Sequence, residues 1–216
     1  MKKGLFVEIQ TGLDQFLKDY PQMSIKPTMD TSLIIEGKFW FSAETKAKPQ
    51  ITDCYALRIE VPAQFPSAVP KVTERENKIP RTGDFHVNPD GTLCLGSPLR
   101  ILLKLSKNPS LSGFASDCLV PYLYAISHKL KFGGALPFGE LAHGRDGELQ
   151  DYLDLFGLTR PGQVYGALRF LGMKKRRANK QPCPCDCGKR LGRCRFNRIM
   201  RDFRKLAGRP WFREQL

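Results

Sequence analysis

A cysteine just beyond a tight turn carries the most chemistry in this chain. Cys94 follows His86-Val87-Asn88-Pro89-Asp90-Gly91-Thr92-Leu93, where Asn88-Pro89-Asp90-Gly91 is a turn signal and a His and an Asn stand two residues apart. A free thiol with a pKa of ~8.5 is only a few per cent thiolate at neutral pH, yet it is a strong nucleophile. It is also a good leaving group, and the two properties together suit acyl transfer through a thioester. A side-chain amide nearby can hydrogen-bond the oxyanion of the tetrahedral intermediate, a contact whose loss typically costs about 100- to 1000-fold in rate. The plain alternative is a small buried hydrophobe in a strand beside an ordinary turn.

A second cluster lies downstream. Cys183, Cys185, Cys187 and Cys194 fall within the 12-residue segment Cys183–Cys194. Tetrahedral Zn2+ takes four soft ligands at short spacing, and adjacent Lys and Arg offset the charge of a tetrathiolate. Free thiols are the alternative. Cys54 opens a strand, and Cys118 lies at helical spacing with Phe114 and Tyr122, so both read as packing residues. Seven cysteines, an odd number, fit reduced thiols or metal ligands better than a disulfide framework.

The elements that must position these residues read as α+β. Leu5, Phe6, Ile9, Leu13, Phe16 and Leu17 have helical spacing up to Tyr20, and Pro21 ends that helix. Ser24–Lys26, Leu33–Ala43, Cys54–Val61 and Val69–Thr73 read as strands, with Tyr55, Leu57, Ile59 and Val61 on one face. No helices separate them, which predicts an antiparallel meander rather than a doubly wound sheet. Beyond the Cys94 segment, Leu99–Leu105 is strongly apolar. Leu111–Leu130 has helical period with a bend expected at Pro121, and Glu148–Phe156 reads as a short amphipathic helix.

Three pieces of sequence resemble the bacterial form of the ubiquitin-conjugating-enzyme-like (UBC-like) family across roughly residues 5–156: Ile35-Glu36-Gly37-Lys38-Phe39, Phe65-Pro66…Pro70-Lys71-Val72, and the His86–Leu95 segment. The resemblance implies a UBC-like fold of N-terminal helix, four-stranded antiparallel meander, active-site loop and C-terminal helices. It implies that Cys94 forms the thioester, that His86 anchors the loop, and that Asn88 serves as oxyanion donor or loop brace. Val87 stands where the family has proline, and the His-to-Cys interval is shorter than in eukaryotic members. Leu136–Gly147 also resembles a loop of members found in antiphage (CBASS-type) defence operons, and His143 in it is a candidate base for the incoming amine or a histidine satisfying a backbone carbonyl. The implied partner is a protein modifier or a cyclic-nucleotide synthase with a free C-terminus, with any activating enzyme on a separate chain. The Cys-x-Cys-x8-Cys spacing resembles the zinc motif at the C-terminus of the SecA translocation ATPase and its relatives. Arg195 occupies the position of that motif's fourth ligand, and Cys187 is the substitute at hand.

Charge divides the 216-residue chain. Residues 160–216 hold 17 Lys and Arg against three Asp and Glu, whereas the remainder carries 18 of each sign. The expected organisation is therefore a catalytic domain over 1–159, a basic linker over 160–182, and a Cys-rich zinc motif with a basic amphipathic helix over 183–216. Phe196, Ile199, Met200, Phe203 and Leu206 form the apolar stripe of that helix. Its basic face is expected to contact nucleic acid or an acidic protein, or else to be solvated while the stripe folds back on the catalytic domain. No apolar run approaches the ~20 residues needed to span a membrane, and the start of the chain does not read as a signal peptide, so a cytoplasmic location is expected. Besides the transferase, two other readings stand: a non-catalytic scaffold that presents partners, and a thiol protease or deconjugating enzyme using His86 or His143 as base.

Overall fold

The structure is a computed structural model that describes residues 12–29, 31–45, 48–137 and 144–216. The chain divides into two compact units, Met1–Leu141 and Ala142–Leu216.

The first unit is α+β. Four strands, β1 (Met23–Lys26), β2 (Leu33–Thr45), β3 (Lys48–Val61) and β4 (Lys71–Glu74), form an antiparallel sheet in sequential order. The expected alternation in β3 holds: Tyr55, Leu57, Ile59 and Val61 are buried, on the same face as Ile35, Phe39 and Phe41 of β2. On the other face Arg58 pairs with Glu36, its partner in register, at 2.6 Å. Helix α1 (Leu13–Asp19) buries Leu13 and Phe16, and the Tyr20 ring stacks on Phe39 with centroids 4.2 Å apart. The part of the expected first helix from Leu5 to Thr11 lies outside the described residues.

Helix α2 (Pro98–Leu105) starts where Ser97 Oγ accepts the Arg100 N–H and proline takes the first position, and it buries Leu99, Ile101, Leu102 and Leu105. The long helical stretch expected next comes in three pieces: α3 (Leu111–Phe114), a π-helical turn (Ala115–Leu119) and α4 (Val120–Phe132). Pro121 explains the interruption, since it has no N–H to give to the carbonyl four residues back. That carbonyl, of Asp117, accepts from Lys104 Nζ at 2.8 Å, and the Val120 N–H reaches Ala115 O, five residues back. Helix α4 packs on β2 and β3. Between α4 and β3, the Ser127 hydroxyl donates to Asp53 Oδ2 at 2.7 Å, which leaves Tyr55 OH to donate to Ser127 at 2.7 Å. Lys78 Nζ closes this network on Asp53 Oδ1 at 2.5 Å.

The second unit is helical: α5 (Gly144–Phe156), α6 (Pro161–Leu171), α7 (Lys175–Ala178), α8 (Phe196–Phe203) and α9 (Arg209–Glu214). Segment 160–182, expected as a linker, holds α6 and α7 and buries Val164, Ala167, Leu168, Leu171 and Ala178. Its high positive charge sits on exposed positions and masks that apolar set. The apolar stripe of α8 is spent within this unit: Phe203 and Phe196 meet the Phe156 ring edge-on at 4.8 and 6.5 Å. One guanidinium organises the end of α6. Arg204 donates to the carbonyls of Phe170 at 2.6 Å and of Leu171 and Met173 at 3.1 Å, and Arg213 Nε donates to Gly172 O at 3.1 Å. No helix among the described residues is long and apolar enough to cross a membrane.

Candidate functional site

Cys94 sits on a small hairpin fastened to the free edge of the sheet. The Leu93 N–H donates to Val72 O of β4, the Cys94 N–H to His86 O and the Asn88 N–H to Thr92 O, each at 2.8 Å. Val87 pairs with Leu93 and Thr73 with Thr92, so Leu93 lies opposite Val72 and both are buried. Strand alternation then turns Cys94 to the outer face, together with Asn88 and Thr92. Cys94 is half-buried.

The turn is braced by side chains. Asp90 Oδ1 accepts the Thr92 N–H at 3.0 Å and its hydroxyl at 2.6 Å, and the Asn88 amide donates to Thr92 Oγ1 at 2.9 Å. The Thr92 hydroxyl and N–H hold the Asp90 carboxyl below its ordinary range. Helix α4 secures the approach from behind. Tyr122 OH donates to Phe85 O at 2.8 Å and Lys129 Nζ to Asp84 O at 2.9 Å. The two residues lie seven apart, hence on one helix face. Burial pushes the Tyr122 phenol above its usual value, and the nearness of Cys94 adds to the effect. Gly96, at φ +129°, turns the chain from the hairpin into α2, which begins four residues after Cys94.

Of the expected site residues, Cys94, His86 and Asn88 come together. His86 anchors through its backbone: it adopts a left-handed conformation at φ 52°, and its carbonyl takes the Cys94 N–H. Asn88 lies diagonally from Cys94 on the outer face, a relation that in antiparallel pairs spans about 7–8 Å. The amide meets Thr92 Oγ1 at 2.9 Å rather than the sulfur. His143 lies outside the described residues. Thr92, Asp90, Tyr122 and Lys129 were missed as site residues. For Asp90 and Thr92 the available signal was an acid two residues before a hydroxyl in a turn, whereas Tyr122 read only as a core position. Cys118 is buried, its thiol pushed up to about 11 by desolvation, as suits a packing residue.

The four downstream sulfurs converge. Cys183 and Cys185 Sγ are 3.2 Å apart, Cys185 and Cys194 3.5 Å, Cys187 and Cys194 3.4 Å, and all lie within 4.8 Å of one another. A Zn–S bond of ~2.3 Å gives tetrahedral edges of about 3.8 Å, so these four fit one ion. Three alternate cysteines reach one point because Asp186 (φ 58°) and Gly188 (φ 73°) curl the chain around Cys187. The backbone N–H of Phe196 donates to Cys194 Sγ at 3.4 Å. Such a donor stabilises a thiolate and fixes ligand direction. The Lys189 N–H, with the neighbouring thiols, brings Cys187 down to about 7, while burial pushes Cys183 and Cys185 up. Asp186 is held by Arg160 and, at 2.9 Å, by Gln163 Nε2, which ties the cysteine turn to the start of α6.

In comparisons with known proteins, no family model, no curated protein and no solved structure matches this chain.

Proposed function

We propose that the protein is a ubiquitin-conjugating-like transferase that carries the C-terminus of another protein as a thioester on Cys94 and passes it to an amine. The Cys94 sulfur attacks an activated carboxyl carbon, expelling its leaving group and giving up the thiol proton. An amine then attacks the thioester carbon, the C–N bond forms, the C–S bond breaks, and the returning thiolate takes up the proton that the amine releases. Asn88 is assigned the oxyanion and His143 the amine proton. The four downstream cysteines are assigned one structural zinc. By the resemblance of Leu136–Gly147 to members in antiphage operons, the passenger is a modifier or a cyclic-nucleotide synthase.

One observation carries the reading: a half-buried cysteine on the outer face of a hairpin whose turn is braced by Asn88, Asp90 and Thr92. A sulfur sealed in the core would be out of reach of a flexible peptide end. A competing reading, a non-catalytic scaffold, draws on the Asn88 amide being bonded to Thr92. Mass spectrometry under non-reducing conditions, on protein expressed with candidate partners, separates the two. The transferase requires a thiol-labile adduct on Cys94 that Cys94→Ser abolishes or converts to a stable oxyester. Unchanged transfer by that variant rules Cys94 out.

A further inference from the structure

We propose that the second compact unit binds the phosphate backbone of nucleic acid, independently of sequence, through the cations of residues 174–201.

That segment contains 11 Lys and Arg and one acid, Asp186, which Arg160 and Gln163 already hold. All of the cations are exposed: Lys174, Lys175, Arg176 and Arg177 around α7, then Lys180, Lys189, Arg190, Arg193, Arg195, Arg198 and Arg201. None makes a side-chain hydrogen bond or ion pair among the described residues, although the same unit pairs Lys205 with Asp202 and puts Arg204 and Arg213 on carbonyls. The fold gathers them. Pairing of Pro182 with Arg190, Cys183 N–H to Lys189 O at 2.8 Å, Leu191 N–H to Gln181 O at 2.9 Å and Gly192 N–H to Asn179 O at 3.0 Å lays 179–183 along 189–192. The end of the α7 tetrad and Lys180 therefore flank Arg190 and Arg193. Arg195 and Arg198 follow directly beyond Cys194, the last sulfur of the cluster.

Like charges at this density repel one another, and a polyanion relieves that repulsion. Three features select nucleic acid among polyanions. Seven of the 11 are arginines, whose planar fork matches phosphate oxygens bidentately. Protein interfaces are built on a buried apolar or aromatic centre, and peripheral membrane segments on inserted apolar side chains. Among the described residues this unit exposes only Tyr165 and Leu216 as large hydrophobics, both outside the basic segment, since Phe196, Met200 and Phe203 are buried. Tyr165, 45% exposed with Arg169 one turn along α6, offers a base a stacking surface.

The test is fluorescence anisotropy of the full-length chain with labelled single-stranded RNA and DNA of mixed sequence. Binding is expected at low salt for both. With about six cations engaged, log K against log salt should fall with a slope of about −4 on single strands. The double variants R176E/R177E and R195E/R198E should each weaken binding at least tenfold while their melting curves stay unchanged. Cys94→Ser should bind like the parent, which keeps this result separate from the thioester chemistry. No binding at low salt, binding indifferent to salt, or equal affinity for polyglutamate or for phosphatidylserine vesicles overturns the proposal.

Discussion

The side-chain amide of Asn88 donates to Thr92 Oγ1 at 2.9 Å, and the same hydroxyl donates to Asp90 Oδ1 at 2.6 Å. An amide has two N–H groups, and one serves the turn; in the proposed transfer the other would meet an acyl oxygen on Cys94. Asn88→Ala is expected to slow discharge of a preloaded thioester onto lysine by about 100-fold, with loading changed far less. Thr92→Val should cost about 1 kcal/mol of stability through the lost bracing bonds. Single-turnover discharge and thermal unfolding read the two effects separately. Full discharge activity in Asn88→Ala would remove Asn88 from the chemistry.

Zinc content is the next expectation. Purified protein should carry one equivalent, and a strong chelator should lower the melting temperature and expose all four cysteines to alkylation. In the stripped protein Cys187, exposed and with its pKa brought down to about 7, should alkylate before Cys183, which burial holds up. Peptide mapping after brief iodoacetamide treatment reports that order. Rapid labelling of all four thiols in freshly purified protein would contradict a bound ion.

Acid should weaken the first unit through Asp53. Burial raises its carboxyl, but hydrogen bonds from Lys78, Ser127 and the Cys54 N–H outweigh that, so its folded value lies below the ordinary one. A depressed folded pKa contributes stability that is present above the unfolded value of ~3.9 and is lost as pH falls through the folded one. Asp53→Asn should flatten the decline in stability between about pH 5 and pH 2. Denaturant midpoints across that range measure it, and an unaltered slope would show that other carboxylates dominate.

Arg204 is the test of the second unit. Its guanidinium serves three carbonyls at the end of α6, an arrangement that a lysine ammonium on a flexible stem does not reproduce. Arg204→Lys is expected to destabilise by about 1–3 kcal/mol, read from denaturant unfolding. A neutral outcome would mean that water satisfies those carbonyls equally well.

Period and turn chemistry made most of the first unit legible. Tyr55, Leu57, Ile59 and Val61 alternate, and their burial follows from that pattern. Pro121 announced a break, but its form as a π turn depends on Lys104 reaching from another helix, which no local pattern contains. Helix α6 went unseen because net charge was read over a segment whose apolar residues recur at helical spacing between exposed cations. Cys187 was legible as the fourth ligand, and left-handed turns at Asp186 and Gly188 are what bring it to the other three sulfurs. The diagonal placement of Asn88 to Cys94 needed the register, fixed by Leu93 against Val72.

That register also governs which alterations of chain length the hairpin tolerates. Residues added at the tip, between Asn88 and Thr92, leave the paired stems and the direction of the thiol as they are. A single residue inserted between Leu93 and Cys94 would rotate the sulfur toward the apolar layer and bring its neighbour outward. Natural or engineered length variation should therefore accumulate at the tip and be excluded from the stem.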